Sequence, residues 1–150
     1  MDNLRVGALA PVLSGRRPPA IYRFGSRAKP ASVLADLDDA GWRGFHLDGR
    51  TVEDKAGFLV AIGTAMAFPG YFGRNWDALD ECITDLEWAP ATGYVLLYDN
   101  VRRFAGNDPT AWKTARSVLS DAVSYWSSTP TPLYVLLRQS WWYARDVEKL

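Results

Sequence analysis

Four carboxylates, Asp77, Asp80, Glu81 and Asp85, fall within nine residues at spacings of three and four, with no base among them. On a helix advancing about 100° per residue they share one arc with Thr84, and Trp76, Leu79, Cys82, Ile83 and Leu86 share the other. Like charges at these spacings repel by ~0.2–0.5 kcal/mol per pair. Asp77, in the first turn, complements the helix dipole, whereas Glu81 and Asp85 oppose it. Helix stability alone does not account for such a face. Three kinds of chemistry could: a merely solvated surface, a divalent-metal enzyme site built from oxygen ligands, or a docking surface for a basic protein cleft. The metal reading needs a second group of acids, and the other long helices offer only Asp121 and the pair Glu53/Asp54. Docking finds aromatic anchors close by in Tyr71, Phe72 and Trp88, the mixture of rings and charges typical of binding hot spots. An interaction module of some other kind would use the same surface.

Other residues suited to catalysis are few. His46 is the only histidine, lies within a strand pattern, and reads as a satisfied core side chain rather than a general base. Cys82 falls on the apolar arc and reads as a small buried hydrophobe. Gly70-Tyr71-Phe72-Gly73 lacks the Gly-Lys-Ser/Thr of a phosphate loop. No enzyme, metal or cofactor is expected from these residues.

The elements that must hold the acidic face follow from pattern and punctuation. Ile21–Phe24 could form a short strand and Ala31–Ala40 a short helix stopped by Gly41; Trp42–Leu47 reads as a strand closed by Asp48-Gly49. These three pieces would make one βαβ unit. Thr51–Met66 has helical spacing in Phe58, Leu59, Ile62 and Met66. After the breaks at Pro69, Gly70 and Gly73, a helix starts at the N-cap Asn75 and runs to about Leu86. Tyr94–Tyr98 and Leu133–Leu137 are continuous apolar strands of the buried parallel type, separated by an amphipathic helix over Pro109–Trp126. The order predicts an α/β sandwich with a mostly parallel sheet. Pro11, Pro18, Pro19 and Pro30, with Gly7, Gly15 and Gly25, mark the first thirty residues as an irregular arm outside the core.

At 150 residues, 48% hydrophobic and 23% charged, the chain has the composition of one ordinary domain. No apolar run approaches the ~18–20 residues of a membrane helix. Val6–Leu13, broken by Gly7 and Pro11, makes a poor signal peptide, and a single cysteine gives no disulfide argument for export. A cytoplasmic protein is expected. The net charge is zero but unevenly placed: residues 1–35 carry six bases and one acid, residues 36–100 twelve acids and four bases, residues 101–150 seven bases and four acids. The acidic middle repels phosphates and disfavours nucleic acid as its partner. Only the basic arm of Arg16, Arg17, Arg23, Arg27 and Lys29 could serve a nucleic-acid binder, and it could equally fold back on the acidic face.

The run Phe68-Pro69-Gly70-Tyr71-Phe72-Gly73-Arg74-Asn75-Trp76-Asp77-Ala78-Leu79-Asp80-Glu81-Cys82-Ile83-Thr84 resembles the barstar family, intracellular inhibitors of barnase-type ribonucleases. The likeness extends over about residues 42–138, with Gly44–Gly49 as the family's first strand and turn. It sets off residues 1–41 as an N-terminal extension and 139–150, with Trp141-Trp142-Tyr143, as an aromatic tail. It implies a three-stranded parallel sheet packed with helices, to which the N-terminal segment could add a fourth strand. It also implies that the loop and acidic helix plug the cleft of a basic, guanyl-specific ribonuclease, one to one. Tyr71 would stack in that cleft, and Asn75, Asp77 and Thr84 would make polar contacts. Glu81 would stand in for the RNA phosphate, with Asp121 on the last helix as a further acid. Glu81 takes the place of the family's common Asp, and Asp80 that of a Trp. Two extra residues follow Thr84, which brings Leu86 or Trp88 forward as a replacement interface residue.

Overall fold

The computed structural model describes residues 7–70 and 72–150. Its elements run α1 (Ala10–Leu13), β1 (Ile21–Arg23), α2 (Pro30–Asp39), β2 (Arg43–Asp48), a 3-10 turn (Gly49–Thr51), α3 (Lys55–Ala65), α4 (Trp76–Ile83), β3 (Tyr94–Asp99), α5 (Val101–Asn107), α6 (Pro109–Ser127), β4 (Leu133–Leu137) and a second 3-10 turn (Trp141–Ala144). The four strands form one parallel sheet in the order β1-β4-β3-β2.

The sheet has four strands: β2, β3 and β4 are the three that the resemblance implies, and β1 is the fourth that the N-terminal segment could add. β3 and β4 are buried along their whole length, as their unbroken apolar runs require, whereas β2 at the edge alternates. One face carries α3 to α6, packed on Phe45, Leu47, Leu96, Tyr98, Val135 and Leu137. The other face carries α1 and α2, packed on Val95, Leu97, Tyr134 and Leu136.

The N-terminal segment is not the irregular arm expected from its prolines. Leu9, Val12, Tyr22 and Phe24 are buried, and they build the second core with Val33, Leu37 and Trp42. Proline restricts a chain but does not stop it packing: Pro11 sits in the first turn of α1, where its missing N–H costs nothing. β1 and β2 lie on opposite edges with β4 and β3 between them, so β1-α2-β2 spans the sheet instead of pairing neighbours. The basic arm does not return to the acidic face. Arg17 pairs with Glu148 at 2.7 Å, and Arg23 Nε donates to the Val147 carbonyl at 2.7 Å. Residues 148–150 run beside the outer edge of β1 through Arg23 N–H to Glu148 O and Leu150 N–H to Arg23 O.

The Tyr98 ring packs against Phe58 and Trp112, but its buried hydroxyl meets no partner among the described residues, and burial raises the phenol's pKa. A buried hydroxyl without a partner costs ~1–3 kcal/mol of desolvation. Tyr98→Phe keeps the ring contacts and is expected to raise stability by ~1 kcal/mol, read as a higher urea midpoint with unchanged slope. A lower midpoint would mean that the hydroxyl is hydrogen-bonded in solution.

Candidate functional site

The acidic face is built on α4, whose start and finish are both fixed by side chains. Asn75 caps it: the side-chain oxygen accepts from the Ala78 N–H at 2.8 Å, and the amide NH2 of this residue still has two hydrogens to donate. The helix stops at Ile83, three residues short of the sequence expectation. Thr84 turns its hydroxyl back to the Asp80 carbonyl at 2.7 Å, and buried Leu86 takes a left-handed φ of 50°, which ends the helical path. Trp126 Nε1 donates to the Ile83 carbonyl at 2.8 Å, so α6 ties down the end of α4.

Leu79, Cys82 and Ile83 are buried, as the wheel requires. Trp76 lies half-buried on Phe58 with the Lys55 ammonium over its ring. Burial first, then the Asp85 and Glu81 carboxylates, raise the pKa of the Cys82 thiol and keep it an inert apolar group.

Asp77, Asp80 and Glu81 are exposed on α4, while Asp85 sits half-buried in the turn beyond it. Asp121 is exposed on α6, which packs against α4. Among the described residues none of these five carboxylates forms an ion pair. Among the same residues no three His, Cys, Asp or Glu side chains converge to hold a metal ion. The acids are strung along a surface rather than gathered about a point.

Tyr71 lies outside the described residues. Phe72 and Trp88 are half-buried, not free-standing. Phe68 meets both edge-on, at 4.9 Å to Phe72 and 6.0 Å to Trp88, and Trp88 Nε1 donates to the Met66 carbonyl at 3.1 Å. These rings brace the loop that enters α4. Ala67 and Arg74, with φ of 54° and 55°, bend that loop at either end.

Sequence reasoning missed two features. A groove of about 300 Å³ lies between α3 and the loop, lined in part by Val60, Gly63, Phe68, Phe72 and Arg74. Its signal was Gly63 inside a helix pattern: a Cβ there would meet the Phe72 ring at 3.0 Å. The second is a buried ion cluster on the α2 side, past the ends of the central strands. Arg138 donates from Nε to Asp99 Oδ1 at 2.6 Å and from Nη2 to Oδ2 at 2.9 Å, while His46 Nε2 lies 3.0 Å from Oδ2. Nη1 of Arg138 donates to the Ser26 and Ala28 carbonyls. His46 is thus a satisfied side chain, and the cluster clamps the segment leading into α2. Its signal was the pair of opposite charges closing two buried runs, YVLLYD and LYVLLR.

The model of the family described as "Barstar (barnase inhibitor)" matches residues 42–138. A comparison with curated protein sequences finds no match. Among solved structures the chain is similar to one described as the structure of the Aeropyrum pernix ORC2 protein (ADPNP-ADP complexes). The TM-score is 0.52 at 12% identity, covering 95% of this chain and 41% of that one. At that identity the likeness is one of fold alone.

Proposed function

The chain belongs to the barstar family, and from that membership we propose that it inhibits a basic, barnase-type, guanyl-specific ribonuclease by filling its active-site cleft. The observation that carries this reading is the run of exposed carboxylates on α4, each without an ion-pair partner among the described residues and beside a ring-braced loop. A ribonuclease holds cations where phosphate charge develops in the transition state. A helix held rigid at both ends can offer carboxylates to those cations as charge-assisted hydrogen bonds.

In this reading Glu81 stands in for the phosphate, flanked by Asp77, Asp80 and Asp85. Asp121 adds charge from α6, and Tyr71 and Phe72 supply ring contacts. Asn75 donates through its free amide hydrogens. Thr84 and Trp88 chiefly hold the surface in shape, since both already spend their polar hydrogens within the fold. The protein is a cytoplasmic, non-catalytic immunity protein or antitoxin, a monomer until it meets its target.

The test is a titration of RNA cleavage by purified guanyl-specific ribonucleases against this protein, which by itself leaves RNA intact with or without Mg²⁺. With a cognate enzyme the expected result is a sharp one-to-one equivalence point, competitive with RNA. Association should slow as salt rises and the Debye length falls to about 8 Å at 0.15 M. No inhibition across the panel at micromolar protein would refute the proposal.

A further inference from the structure

A second surface has the makings of a ligand site. An open cavity of about 600 Å³, within the range of small-molecule pockets, is walled by Arg50, Arg102, Arg103, Trp141, Trp142 and Tyr143. Trp141 and Trp142 are 66% and 67% exposed, although they sit in an ordered 3-10 turn between buried Ser140 and Ala144. Folding gains little from large rings left in water.

The backbone is nonetheless arranged to hold them there. Asn100, Gln139 and Trp141 all adopt left-handed φ values, 59°, 50° and 49°, which cost conformational energy in residues with a side chain. The two loops that carry them are stitched together. The Asn100 N–H donates to Gln139 Oε1 at 3.0 Å, and the Arg102 N–H donates to the Gln139 carbonyl at 3.0 Å. Tyr143 lies over Gly106, where any Cβ would come within 2.8 Å of its hydroxyl. Left-handed backbone and stitching together shape the cavity before any ligand arrives.

Its charge is as specific as its shape. Arg50 pairs with Asp48 and Arg103 with Glu53. Arg102 has no carboxylate partner among the described residues and instead lies over the Trp141 ring, its Cζ 4.4 Å from the centroid. A stacked guanidinium keeps its donor edge free for a planar or tetrahedral anion. Arg145 lies over the Trp142 ring in the same way, at 5.8 Å, so each indole has an arginine over one face only. The cavity thus offers exposed indoles for a flat ring and, in Arg102, an unneutralised guanidinium for an anion.

We propose that this cavity binds a free nucleotide, the base stacked on Trp141 or Trp142 and the phosphate held by Arg102. A bare anion would leave the rings unused, and a peptide of Asp and Glu has no ring to stack. A long nucleic acid needs a row of unpaired bases for its successive phosphates, and with Arg50 and Arg103 neutralised by Asp48 and Glu53 the wall offers Arg102 for a single one. The site is separate from the α4 surface and does not depend on the inhibitor reading.

The experiment titrates the intact protein with AMP, GMP, CMP and UMP in turn, following tryptophan fluorescence and heat. Saturable binding and quenching are expected for at least one of them. The matching nucleoside and inorganic phosphate should each bind about tenfold more weakly or worse. Arg102→Gln and Trp142→Ala, both at exposed positions, should each lose about tenfold with unchanged thermal melts. Four results would overturn the assignment: no binding of any of the four nucleotides, phosphate binding equally well, an Asp/Glu peptide competing equally well, or a single-stranded oligonucleotide binding far more tightly than its monomer.

Discussion

Glu81→Ala is expected to weaken the complex with a cognate ribonuclease by ~2–5 kcal/mol, mostly as faster dissociation. The cost comes from the partner: its cleft cations would stay buried without a counter-charge. The free protein should not suffer. Glu81 is exposed, pairs with no base among the described residues, and repels acids at neighbouring turns. Its melting temperature should hold or rise slightly. Glu81→Asp is the finer probe, since it brings back the family's common residue with a shorter reach. Weaker binding would mean that the cognate cleft is matched to the longer side chain. Stopped-flow mixing and thermal melts read both quantities, and unchanged dissociation in Glu81→Ala would remove Glu81 from the centre of the interface.

The largest expected loss of stability is at the opposite face of the sheet. Arg138→Met takes away both guanidinium bonds to Asp99 and leaves that carboxylate buried with His46 alone. Breaking one side of a buried pair costs ~3–5 kcal/mol, here with the loss of two backbone anchors at Ser26 and Ala28. In a chain of this size that corresponds to a fall of roughly 10 °C in melting temperature. The double variant Asp99→Asn/Arg138→Met should recover a good part of the loss, because no unpaired charge remains. If the double variant loses as much as Asp99→Asn and Arg138→Met added together, the two residues act independently and the clamp is not a unit.

Much of this architecture is legible in the chain because a few segments carry one dominant signal. Tyr94–Tyr98 and Leu133–Leu137 are unbroken apolar runs, and only a buried parallel strand suits them. Asn75 announces α4 because a cap is a local event. The end of α4 is harder to see, since the apolar spacing continues to Leu86. A side-chain bond from Thr84 and one left-handed residue override it. β1 has three residues, too few for a period, and its pairing with β4 is a purely tertiary fact. α5 was missed altogether: seven residues follow a left-handed Asn100 with no side-chain cap, so its support comes from packing against α6. For the acidic surface, the carboxylates could be placed from spacing alone. That Phe72 and Trp88 brace a loop depends on Phe68, which has no sequence signature of that role.

The position of β1 also sets the order in which the chain can be completed. Ile21 pairs with Val135 and Arg23 with Leu137, so the first strand to be made waits for the last. More than a hundred residues must be closed into a loop before the first of these contacts forms, and such non-local pairings slow folding. Until then Tyr22 and Phe24 have no sheet to cover, and the edge of β4 away from β3 stays open to other strands. During synthesis on a ribosome, β2, β3 and the helices on the α4 side can assemble first. A surface on α4 would then take shape before the N-terminal segment finds its place.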